Sequence, residues 1–214
     1  MNILKASSII FIVFLSFKIL YAQNYSEERI LFFDSDIVIN EDASMNVTET
    51  IKVHSEGEQI KRGIYRDFPT RYKDKYGNNV VIKFDIVEIL RDGFAESYHT
   101  ENLSNGVRVY MGKTDHFLSE GNYTYNIKYK TNRQIGYFEN HDELYWNVTG
   151  NGWDFMIESV TVSVHFPRNI LPDDINIDAF TGYQDRRKSI SEYPAKRVSI
   201  FSLKLLIRYS QNRV

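Results

Sequence analysis

Two short stretches hold most of the side chains able to bind or transform a ligand. In the first, Lys61-Arg62-Gly63-Ile64-Tyr65-Arg66-Asp67-Phe68-Pro69-Thr70, charged residues alternate with apolar ones. Arg62, Arg66 and Asp67, with Tyr65 among them, could form a ligand-facing cluster, since guanidinium is a bidentate fork for carboxylate or phosphate. Structural ion pairs build such clusters too. On that alternative the stretch is an edge strand whose Arg66 pairs with an acid of its own domain. Pro69, lacking a ladder donor, fits a strand end.

The second stretch, His141-Asp142-Glu143-Leu144-Tyr145-Trp146-Asn147-Val148-Thr149-Gly150-Asn151-Gly152-Trp153-Asp154, sets acids beside both Trp residues of the chain. A glycosidase needs two carboxylates flanking the scissile bond, and Trp146 and Trp153 could serve as a sugar platform. Asp142 and Glu143 are neighbours, however, and a strand turns neighbours to opposite faces. Glu143 with Asp154 is the remaining pairing, and it requires the chain to fold back. The structural alternative is a buried strand over residues 144–148, then a glycine turn and a core Trp. No catalytic residue is assigned. His54, His99, His116, His141 and His165 are scattered without metal-site spacing, and there is no Cys. No metal or cofactor is expected.

The elements that must position these residues read as strands. Ala43, Met45, Val47, Ile51 and Val53 alternate with polar residues, as do Tyr123, Tyr125, Ile127 and Tyr129, and Val160, Val162, Val164 and Phe166. Val80 to Ile86 and Val107 to Met111 follow the same period. Turn residues separate the runs, for example Asn40-Glu41-Asp42, Ser104-Asn105-Gly106 and Gly150-Asn151-Gly152. Many short strands with one apolar face predict an all-β fold, an antiparallel β-sandwich of Ig-like or related type. The 214 residues, 43% of them hydrophobic, suffice for one core.

Residues 1–22 have a Lys5 n-region, an apolar run from Ile9 to Phe17 and a small residue, Ala22, at a cleavage point. This is a secretory signal peptide pattern, expected to be helical, and it sends the rest of the chain to an extracytoplasmic compartment. Residues 23–184, the predicted sandwich domain, carry a formal charge of −10. Residues 185–214 hold eight Lys or Arg against two acids, a formal +6. That basic tail shows no clean apolar period. We expect it to pack poorly on the sandwich, as a lipid-binding arm or the product of truncation or frameshift. With an overall −2, nucleic acid is not an expected partner.

The run from Arg62 to Pro69, followed by the run from Asp142 to Trp153, resembles the bacterial predicted membrane protein family called domain of unknown function 2207. The resemblance covers about Ile30 to Tyr183. It implies an exported β-rich domain in front of membrane spans, so full-length relatives are membrane-anchored. It carries over no catalytic residue. After Tyr183 this chain departs from the family pattern, which favours truncation or frameshift over a basic arm. The leading functional reading is a non-enzymatic envelope module that binds a protein or glycan. In that reading Arg62, Tyr65, Arg66, Asp67, Asp142, Glu143, Trp146, Asn147 and Trp153 form a ligand-binding or structural motif. The alternative is an envelope carbohydrate-active enzyme using Glu143 and Asp154 with Trp146 and Trp153.

Overall fold

The computed structural model describes residues 27–73, 77–150, 152–167, 175–181, 188–189 and 203–209. The signal segment over residues 1–22 lies outside them. No described residue is helical. The fold is all-β, and the alternation in the sequence is the reason. In β2 (Met45–Ser55) every odd-numbered residue is buried. In β10 (Gly121–Thr131) Tyr125, Ile127, Tyr129 and Thr131 are buried. β1 (Arg29–Ile39) buries Phe33, Ser35, Ile37 and Ile39, and a register shift between Ile30 and Phe32 lets Ile30 face the same core. Such a bulge resets the period of two by one residue.

These three strands lie in a six-stranded sheet with β6 (Phe84–Arg91), β7 (Phe94–Ala95) and β13 (Val160–His165), in the order β13-β1-β2-β10-β6-β7. Two further sheets supply the opposite layer. One runs β3 (Ile64–Pro69), β9 (Gly106–Met111), β8 (Tyr98–Leu103). The other runs β11 (Ile135–Tyr137), β12 (Asp142–Asn147), β16 (Leu203–Tyr209), β14 (Ile175–Thr181), β15 (Lys188–Ser189). A ribbon of β4 (Arg71–Lys73) and β5 (Asn79–Val81) stands apart. One hydrophobic cluster joins the layers, with Phe33, Ile51 and Ile127 packed together with Ile64, Phe68, Val109, Ile135 and Leu144. Across the layers, Phe68 stacks on Phe84 at 4.3 Å and meets Tyr129 edge-on at 4.9 Å, both ring-centroid distances.

Two features add to or differ from the sequence reading. The sandwich is mostly antiparallel, as expected, but β13 runs parallel to β1, with Phe33 opposite Val160 and Ile37 opposite Val164. The chain leaves the six-stranded sheet after β10, forms β11 and β12 in the other layer, and returns to the far edge in the direction of β1. The second difference concerns the basic tail. Leu203–Tyr209 does not pack loosely. It is the central strand of the five-stranded sheet, paired on one side with β12 and on the other with β14. Its charge complements those strands: Arg208 Nε lies 3.1 Å from Glu143 Oε2, and Arg208 Nη1 lies 3.4 Å from Asp178 Oδ2. A basic strand between two strands that present acids is a stable neighbour.

Candidate functional site

On β3 the period of two turns Arg66 inward with Ile64 and Phe68, and turns Tyr65 and Asp67 outward. Arg66, 4% exposed, reaches across the core to Glu49 on β2, which is fully buried. Its Nε and Nη2 each donate to a different carboxylate oxygen of Glu49 at 2.8 Å. Tyr129 on β10 donates its hydroxyl to Glu49 Oε1 at 2.9 Å. Arg66 Nη2 also donates to the Val148 carbonyl at 3.3 Å, tying β3 to the end of the second motif. Phe33 and Phe68 lie under the guanidinium at 5.5 and 5.1 Å. Burial works against the charge on Arg66, but the facing Glu49 outweighs it and holds the guanidinium above its ordinary value. Burial, and then the Glu49 charge, pushes the Tyr129 hydroxyl well up.

The turn after β12 is built around this pair. Gly150 has φ +75°, and a Cβ there would lie 1.7 Å from Arg66 Nη1. Only glycine fits, in conformation and in space. Gly152 follows at φ +88°, its virtual Cβ 3.9 Å from Asp67 Oδ2. Trp153 then folds back, its indole N–H donating to the Thr149 carbonyl at 2.7 Å and its ring meeting Phe33 edge-on at 6.5 Å. The two motifs are therefore one assembly, and the side chain that joins them is Arg66.

On the outward face of β3 and β9, Asp67 accepts a bidentate pair from Arg108, at 2.6 Å from Nε and 2.8 Å from Nη2. The Arg108 guanidinium lies 4.1 Å over the Tyr65 ring and 5.9 Å from the Tyr110 ring. The hydrogen bonds to Asp67 and then Tyr110 raise its pKa well above the ordinary value. His99 on β8 stacks on Tyr110 at 4.7 Å, and the Tyr110 hydroxyl donates to Glu101 at 3.0 Å. Partial burial raises the Tyr65 hydroxyl.

The remaining residues of the two motifs separate. Arg62 is exposed and sits 4.2 Å over Phe117, away from Arg66. On β12, Leu144 and Trp146 pack toward the core, Trp146 half-buried. Glu143 lies on the other face with Arg208, and His141 Nε2 stands 3.8 Å from its Oε2. Asp142 is half-buried at the start of β12 and pairs in register with Tyr209. Asn147 ends the strand, and its carbonyl accepts the Gly150 amide at 3.3 Å. Asp154 is exposed. Among the described residues no group of three or more His, Asp or Glu could hold a metal ion.

Sequence reasoning missed Glu49, Tyr129 and Arg108 as members of this assembly. A signal for Glu49 was present: it is the one acid in the buried phase of β2, in step with Met45, Val47 and Ile51.

The matched pair of motifs bears on ancestry. Residues 29–204 match the family described as Predicted membrane protein (DUF2207) N-terminal domain. The chain belongs to this family. The Uncharacterized protein YciQ of Escherichia coli (strain K12) is 33% identical over 167 residues, covering 76% of this chain and 26% of that protein. This chain thus spans about a quarter of the length of the curated relative that it matches. The match continues to residue 204, past the limit near Tyr183 that the motifs alone indicated. Among solved structures, native leukotriene A4 hydrolase from Saccharomyces cerevisiae has 14% identity and a TM-score of 0.50, covering 86% of this chain and 30% of that one. An M1 zinc metallopeptidase from Deinococcus radiodurans has 11% identity and a TM-score of 0.42, covering 86% and 39%. At such identity the likeness to the hydrolase concerns the β fold alone.

Proposed function

We propose that this DUF2207 domain is the exported, non-enzymatic β-sandwich module of a bacterial envelope membrane protein, and that it acts by binding a protein or a glycan. One observation carries the reading: the side chains best suited to chemistry hold the two layers together. Arg66 is held by Glu49 and the Val148 carbonyl inside the core. Glu143 is paired with Arg208, and both indoles pack toward the interior. A glycosidase needs two carboxylates facing one bond across a space for substrate, and this arrangement commits one of its two candidates to an ion pair. The outward row of Tyr65, Asp67, Arg108, Tyr110 and His99 combines rings and charges in a form suited to recognition.

Export is supported by the signal pattern over residues 1–22, and membrane association by the family. The acidic body, −10 over residues 23–184, disfavours nucleic acid. Two assays test the proposal. Alkaline phosphatase, active only outside the cytoplasm, is fused behind residue 214 and should give activity that disappears when residues 1–22 are deleted. The purified mature chain should release no reducing ends from envelope polysaccharide. Hydrolysis abolished by Glu143→Gln would overturn the non-enzymatic reading in favour of the carbohydrate-active enzyme.

A further inference from the structure

β8 forms one edge of the three-stranded sheet, and among the described residues nothing pairs with its outer side. The hairpin to β9 closes through a two-residue turn, Ser104 and Asn105, with Leu103 opposite Gly106. In an antiparallel ladder only alternate residues turn their N–H and C=O to a given neighbour. Leu103, Glu101 and His99 therefore turn theirs to β9, as the bond from Gly112 N–H to the Ser97 carbonyl at 2.8 Å also indicates. The backbone groups of Tyr98, Thr100 and Asn102 point to the open side. The strand Tyr98-His99-Thr100-Glu101-Asn102-Leu103 has none of the Pro, Lys or bulge by which edges are blocked.

Beside this edge the mouth of the sandwich is open. A groove of about 500 Å³ lies between β8 and β6, lined by Phe84, Asp85, Ile86, Tyr98, Thr100 and Val107. One of its lining side chains, Tyr98, is an exposed aromatic at 47%. Among the described residues, the outer side of β6 is paired by β7 at Leu90 and Arg91, and the Glu96 N–H donates to the Ile89 carbonyl at 3.0 Å.

We infer that the open edge of β8 accepts an extended segment of another polypeptide as an added strand, with apolar and basic residues in alternation. This gives a partner class to the recognition role proposed above and rests on it. A free row of alternating N–H and C=O groups is matched in full by a polypeptide strand. Side chains of that strand on the Tyr98 and Thr100 side enter the groove against Phe84, Ile86 and Val107, which calls for apolar residues. Those on the other side lie beside Glu101, which is exposed and whose cross-strand neighbour Arg108 has turned to Asp67. Asp85, the one charged residue lining the groove, already pairs with Lys83 at 2.9 Å. A basic residue therefore complements Glu101. A second copy of β8 is disfavoured by the same charges, since it would bring another Glu101 and no Lys or Arg.

The probe is a fluorescein-labelled octapeptide alternating Val and Lys, capped at both ends, titrated into the mature chain and read by fluorescence anisotropy. Saturable binding is expected, with slowed amide exchange at Tyr98, Thr100 and Asn102. Thr100→Pro deletes an N–H that the native sheet does not use, so it should weaken binding roughly tenfold while the circular dichroism spectrum is kept. Thr100→Val should bind like the parent. On the unaltered chain, the same peptide N-methylated at alternate amides should not bind. Equal affinity for the methylated peptide, no saturation, or peptide-independent dimerisation through β8 would each overturn the inference. The export and hydrolysis assays do not involve this edge, so a peptide that fails while they succeed removes the added strand and leaves the broader function standing.

Discussion

Replacing Arg66 by Met removes the cation from a pair whose anion cannot reach water. Glu49 is fully buried, and after the change it keeps only the Tyr129 hydroxyl of its present side-chain donors. The Val148 carbonyl loses a donor as well. Leaving one member of a buried pair uncompensated costs about 3–5 kcal/mol, roughly a fifth or more of the about 5–15 kcal/mol that stabilises a typical domain. The double variant Glu49→Leu/Arg66→Met behaves differently. With both charges gone, the desolvation penalty that the pair carried disappears; the Val148 carbonyl lacks Arg66 in either variant, and the further defect is the unpaired Tyr129 hydroxyl at about 1–3 kcal/mol. The double variant should therefore be more stable than Arg66→Met alone. Urea unfolding followed by Trp fluorescence measures this, with Trp153 against Phe33 as a reporter inside the core. A denaturant slope of about 1–3 kcal/mol per molar turns the single-variant loss into a midpoint shift of roughly 1 M or more. A loss below about 1 kcal/mol for Arg66→Met, or strict additivity of the two single variants, would show that the pair is not the joint between the layers.

Gly150→Ala should destabilise by more than the roughly 1–3 kcal/mol of backbone strain alone, because the new methyl displaces Arg66 Nη1, whereas Gly152→Ala should cost only the strain; thermal melts of both variants decide. His54 is raised above its ordinary value by hydrogen bonds to Asn122 and then Glu56. Its contribution to stability should be complete below the unfolded value near 6.5, be lost as pH rises through the folded value, and be absent in His54→Gln, as NMR titration and melts between pH 5 and 9 would show. Burial pushes the Tyr125 hydroxyl up to about 12. Stability should therefore fall as pH climbs from the unfolded Tyr value near 10, and ultraviolet titration should find this ring and Tyr129 ionising only with unfolding.

The strands were legible because burial on one face imposes a period of two, and β2 obeys it through all eleven residues and β10 from Tyr125 to Thr131. Their partners were not legible. Nothing local in Val160–His165 says that it lies parallel to β1, since pairing over such a separation is decided by which edge remains free. The tail misled for a related reason. Its positive charge looks alien when counted along the chain and becomes complementary only in register, where Arg208 faces Glu143. The candidate site was half visible. Arg66 shares the phase of Ile64 and Phe68, and Glu49 the phase of Val47 and Ile51, so each is a charge in an apolar row. That they answer one another is tertiary information.

The position of β16 has a temporal consequence. A ribosome delivers residues 203–209 after every other described strand, yet the five-stranded sheet needs them at its centre. Until they arrive, β12 and β14 have no ladder to share. β1 waits in a similar way for β13, whose residues pair with it from 127 positions downstream, Val160 opposite Phe33. Contacts of such long range slow folding, because loop closure precedes any gain from pairing. The nascent domain thus cannot complete its five-stranded sheet until residues 203–209 are present. On the export proposed above, that delay is an advantage, since a domain that closed early would jam at the entrance of a translocation channel.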